Sequence, residues 1–123
     1  MNVTGVLDRL ARWQRERRPV HAILMDRGGS IASCIGHIIE IEDRQQIVKI
    51  NATVGWGHLP PADKWGCLLD LKGATASVSE WKTLEMSLRS VYSEIITVKL
   101  SSGSGCELRA IKLQEEIDSF PVN

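Results

Sequence analysis

Few of the signals that assign a function occur in these 123 residues. The three cysteines, Cys34, Cys67 and Cys106, are an odd number, lie far apart and form no CxxC, which argues against a secreted disulfide framework and for reduced thiols. No stretch approaches the ~20 apolar residues of a membrane span, and residues 1–18 are too charged for a signal peptide. A cytoplasmic location is the expectation. Lysine plus arginine equals aspartate plus glutamate, 15 each, so no net charge draws the whole molecule towards nucleic acid or anionic lipid. No GxSxG elbow exposes a nucleophile near His21, His37 or His58. Gly103-Ser104-Gly105 lacks the strand–helix context and the lysine of a phosphate loop. No catalytic residue and no cofactor is expected.

What is present is an ordinary globular composition, 43% apolar and 24% charged, which suits a single domain over residues 1–123. The charges are unevenly placed. Residues 1–18 carry five arginines against Asp8 and Glu16, net +3, while residues 113–123 hold Glu115, Glu116 and Asp118, net −3. Val6, Leu10 and Trp13, with Leu7 and Ala11 beside them, form one face of a helix from Val6 to Arg17 that Pro19 closes. Asp8–Arg12 and Arg12–Glu16 are i,i+4 pairs on its other side. Arg9, Arg12, Arg15, Arg17 and Arg18 read as a solvated face or as a phosphate-facing patch, the first being the usual outcome of such a run.

Beyond residue 19 the period shortens. Val20–Met25 and the β-branched stretch Ile31–Glu42 form a hairpin about Asp26–Ser30, and Gln45–Val54 alternates as a third strand. Residues 55–66, with three glycines and two prolines, are an irregular connection. Cys67–Leu71 is a short strand. Ser77-Val78-Ser79-Glu80 has the form of a capping box ahead of Trp81, Leu84, Leu88 and Val91. Leu84, Met86 and Leu88 also alternate, so residues 80–91 are open to either helix or strand. Glu94–Leu100 and Cys106–Leu113 form a last hairpin across a Ser/Gly loop. Residues 119–123 are a tail.

Gly36, Ile38, Ile41, Glu42, Gln46, Ile47 and Val48 together resemble the first motif of the Sm-like (Lsm and Hfq) family. That resemblance implies a mainly β fold: an N-terminal helix on residues 1–18 followed by a strongly bent, five-stranded antiparallel barrel. A glycine within a strand lets a small barrel bend, and Gly36 would be that point. Ile38 and Ile41, both inward but three apart, require a bulge between them. The resemblance also implies a homo-oligomer without enzymatic activity. Its alternative is an RNA- or small-ligand-binding pore formed by Glu42, Arg44, Gln46 and Arg109, and a small-molecule enzyme of unknown type is a third reading. Glu42 stands where the family usually has aspartate, and Ala110 follows Arg109 where the second family motif has glycine.

Other constellations have plainer explanations. Cys34, His37, His58 and Cys67 would suit zinc only if they converged, yet Cys34 and His37 point to opposite faces of one strand, so no metal is expected. Glu40, Glu42 and Asp43 are a solvated strand end. Trp56, His58 and Trp65, with Pro60-Pro61, put large aromatic area into one loop, either a lid on the barrel or a stacking surface for a base, a peptide or a neighbouring subunit. The partner expected is a second copy of the chain; nucleic acid is the less favoured one.

Overall fold

The computed structural model describes residues 2–26, 29–57, 66–78 and 91–114. One helix, α1 (Val3–Arg15), precedes seven strands: β1 (Val20–Asp26), β2 (Gly29–Glu42), β3 (Ile47–Gly57), β4 (Gly66–Asp70), β5 (Thr75–Val78), β6 (Tyr92–Lys99) and β7 (Gly105–Ile111). Among the described residues no helix is long and apolar enough to cross a membrane.

Both ends of α1 are set by local chemistry. The Asn2 Oδ1 accepts the Gly5 N–H at 2.9 Å, an N-cap that satisfies one otherwise unpaired donor. At the other end the Arg17 N–H donates to Gln14 O and the Arg18 N–H to Trp13 O, each at 3.0 Å, with Arg17 in the left-handed region at φ 54°. This is a Schellman closure with arginine at the position glycine usually holds. The helix therefore ends two residues before the expected Arg17. Val6, Leu7, Leu10 and Trp13 are its buried face, packed against β2 and β5. The expected i,i+4 pairs give way to other partners: Arg12 turns to Glu94 and Glu16 to Arg18.

The strands form one open antiparallel sheet in the order β4-β3-β2-β1-β7-β6-β5. Seven strands replace the expected five, and the sheet is not a closed barrel. It is nonetheless rolled. Laid flat, six inter-strand steps would set the edge strands about 29 Å apart. Yet Asp70 ends β4 and Thr75 begins β5, so four intervening residues must bridge the two edges, a reach of about 18 Å at most. The corner is built for this: the Lys72 N–H donates to Asp70 Oδ1, the Ala74 N–H donates to Leu71 O, and Gly73 adopts φ +75°.

The β2–β3 register slips twice. Between Ile35 and Gly36 the additional residue is Thr53 of β3, and between Ile38 and Glu40 it is Ile39 of β2. The second slip is the bulge required between Ile38 and Ile41, while the first lies beside Gly36 with its additional residue on the partner strand. The Ile39 carbonyl freed by the bulge accepts the Gln14 side-chain amide of α1 at 3.1 Å, so the distortion docks the helix.

Inside the roll lie Val20, Ala22, Leu24, Cys34, Ile38, Val48, Ile50, Cys67, Leu69, Ile96, Val98, Cys106, Leu108 and Ala110, joined by the helix's apolar face and by Leu71 and Ala74 of the corner. Two further expectations are corrected. Residues 55–57 continue β3 rather than beginning an irregular connection, because pairing with Ala32–Cys34 carries the strand on. Ser77 and Val78 are not part of a capping box but close β5, paired with Thr97 and Ile96. Residues 80–90, the remainder of the Trp-rich connection at 58–65, and the tail at 119–123 lie outside the described residues.

Candidate functional site

The four pore residues expected from the resemblance are not all together. Glu42 ends β2, Arg44 is exposed in the turn, and Gln46 closes it in the left-handed region at φ 55° while its carbonyl takes the Leu71 N–H at 2.9 Å. Arg109 is elsewhere. It pairs with His21 on β1, which pairs with Ile35 on β2, and Glu42 lies seven residues, about 23 Å of strand, further along. Beside the turn is a groove of about 480 Å³ lined, among the described residues, by Glu42, Asp43, Arg44 and Gln45. Trp56 belongs to β3, while His58 and Trp65 lie outside the described residues.

Arg109 belongs instead to a polar cluster on the outer face of β1, β6 and β7. Alternation puts Cys106, Leu108 and Ala110 inward, so Glu107 and Arg109 face out beside His21. The Arg109 Nε donates to Glu107 Oε1 at 2.7 Å, and its guanidinium lies 5.1 Å from the centre of the Tyr92 ring. Tyr92 Oη and His21 Nδ1 are 2.9 Å apart, their rings tilted by 32°. A register shift between Tyr92 and Glu94 accompanies this placement. Burial, and then the Arg109 charge, hold His21 below its ordinary value, against an opposing pull from Glu107. Burial also works against the Arg109 charge, but Glu107 and Tyr92 outweigh it and raise its pKa.

A second polar contact ties down the helix. Glu94 of β6, 11% exposed, accepts from Arg9 Nη1, from Arg12 Nη2 at 2.6 Å and from the indole Nε1 of Trp13 at 3.1 Å. Arg18 is buried, donating to Glu16 and to the Ile111 carbonyl. Three of the five N-terminal arginines are therefore engaged in holding the fold, and Arg15 and Arg17 remain on the exposed surface.

The thiols of Cys34, Cys67 and Cys106 are fully buried, and none forms a disulfide. A hydrogen bond with Cys34, reinforced by burial, pushes Cys67 up; the same bond holds Cys34 down; burial pushes Cys106 up to about 12. All three are closed off from reactants in solvent by burial, and Cys67 and Cys106 are in addition held in the protonated form. His37 is exposed on the face opposite Cys34, and among the described residues no three His, Cys, Asp or Glu side chains are grouped to hold a metal ion.

No family model, no curated protein and no solved structure matches the chain. Assignment therefore rests on the geometry.

Proposed function

We propose that this chain is a non-enzymatic β module that assembles with copies of itself along the edge of its sheet, in the manner of the Sm-like proteins that Gly36–Val48 resembles. The observation that carries this reading is β5. Thr75-Ala76-Ser77-Val78 ends the sheet, and among the described residues only β6 pairs with it. An open strand edge is a template for another chain, and proteins that stay monomeric block it with lysine, proline or an inward charge. β5 has none of these. The zero net charge adds no repulsion between copies.

The pore-binding reading has less support. Arg9 and Arg12 are held by Glu94 rather than offered to phosphate, Asp43 adds a carboxylate beside Glu42, and Arg109 stands apart from the turn.

The test is light scattering coupled to size exclusion. The wild type should scatter as a multiple of 13.7 kDa at micromolar concentration. A Thr75→Lys, Ser77→Lys double variant, which charges two exposed positions of β5, should scatter as a monomer with an unchanged far-ultraviolet spectrum. A monomeric wild type overturns the proposal.

A further inference from the structure

The cluster on the outer face of β1, β6 and β7 has more hydrogen-bond donors than acceptors. His21 Nδ1 and Tyr92 Oη share one proton across 2.9 Å. If the tyrosine supplies it, the imidazole keeps an Nε2–H to donate; if the imidazole supplies it, the tyrosine O–H remains. Either way the pair presents a donor. Arg109 spends its Nε–H on Glu107 and also reaches the Tyr92 hydroxyl, and among the described residues no carboxylate bonds to its two terminal amino groups. Its guanidinium is nonetheless held in place, by Glu107 on one side and by the face of Tyr92 on the other. At 20% exposure it is sheltered enough for its hydrogen bonds to count and open enough to be reached.

Fixed donors without matching acceptors suit an oxyanion, and a planar guanidinium suits one that can accept two parallel bonds. The charge points to a single anionic group rather than a polyanion, because Glu107 already balances Arg109. We propose that His21, Tyr92 and Arg109 bind one oxyanion, the carboxylate or phosphate group of a small molecule, on the outer face of the sheet. The site lies on a different surface from the β5 edge and does not depend on assembly.

The imidazole reports its own occupancy. The groups facing it are Tyr92 from β6 and Arg109 and Glu107 from β7, with Ile35 opposite on β2. An anion bound among them favours the imidazolium, and by linkage the midpoint of His21 rises as the site fills. The experiment follows the histidine ring signals by NMR across pH while sodium phosphate or sodium acetate is added at constant ionic strength, with the exposed His37 as internal control. The His21 midpoint should rise saturably while His37 stays level. Arg109→Gln should weaken the apparent affinity roughly tenfold or more, as loss of a charged hydrogen-bond donor does. Tyr92→Phe should weaken it less, and Arg109→Lys should keep the attraction while losing the two-pronged fit. Saturation by phosphate alone assigns a phosphate group, and by acetate alone a carboxylate. The inference is overturned if neither ion moves His21 more than His37, or if a folded Arg109→Gln protein responds as the wild type does.

Discussion

Removing the Glu94 carboxylate should undock the helix from the sheet, and the size of the effect follows from three contacts. The Trp13 indole is 1% exposed, so its N–H, now bonded to Glu94 at 3.1 Å, would be left buried and unpaired in Glu94→Ala, a cost of about 1–3 kcal/mol. Arg9 and Arg12 are 37% and 50% exposed, and solvent screening limits each of their ion pairs to about 0.2–1 kcal/mol. Together these give about 1.4–5 kcal/mol for Glu94→Ala. Glu94→Gln keeps an oxygen for the indole and loses only the charge, so it should cost about 1 kcal/mol. Urea unfolding followed by far-ultraviolet circular dichroism measures both, with the m-value checked for constancy. At about 1 M salt, where the screening length is near 3 Å, the wild type and Glu94→Gln should converge while Glu94→Ala stays below both. If Glu94→Ala costs less than about 0.5 kcal/mol, or no more than Glu94→Gln, the indole contact does not carry the docking.

Three further outcomes are expected. Arg17→Gly should stabilise the protein by roughly 0.5–1 kcal/mol in the same urea assay, because φ 54° at the helix closure suits glycine and strains a side chain; destabilisation would show that the Arg17 side chain has a partner role. His21 is held below its ordinary value of 6.5, so the unfolded chain binds its proton first as pH falls; stability present above pH 6.5 should decline as pH drops towards the folded midpoint, and a His21→Gln variant should lose less over that window. Ellman's reagent should find no rapidly reacting thiol in the native protein and three after denaturation, since all three cysteines are buried; a fast native thiol would contradict the packing of the roll.

The elements legible in the sequence are those whose causes are local. The spacing of Val6, Leu10 and Trp13 specifies a helix wherever that helix lies, and the Ser/Gly loop between β6 and β7 specifies a hairpin. The bulge at Ile39 is legible for the same reason: Ile38 and Ile41 cannot both face inward without an additional residue between them, and Ile39 is that residue. The polar sites are another matter. Arg9, Arg12 and Trp13 meet a carboxylate 85, 82 and 81 residues away, and His21 meets Tyr92 across 71. No periodicity encodes such a pairing. The one trace of the Glu94 contact in the sequence is the placing of Arg9, Arg12 and Trp13 three and four residues apart, which puts two donors and an indole on one side of the helix, but by pattern alone the arginines read as a solvated or phosphate-facing run and Trp13 as part of the apolar face. Arg109 was singled out for a different reason from the one its surroundings support, because its neighbours are decided by the β1–β7 pairing of Val20 with Ala110.

The corner at Leu71–Ala74 links these observations to what the sheet can offer a partner. β4 and β5 are consecutive in the chain but pair with strands at opposite ends of the sheet, β3 and β6, so each pairs on one side among the described residues. Their shortness, five and four residues, limits indiscriminate pairing, since few backbone groups are presented at once. Four residues of ladder are in turn too few to hold two molecules by backbone alone, so in the proposed assembly the side chains on β5 would supply the selectivity. Gly73 sets the direction in which both edges leave the corner: at φ +75° it takes a conformation costly to other residues, and an added Cβ would stand 3.5 Å from that of Ser101 in the β6–β7 loop.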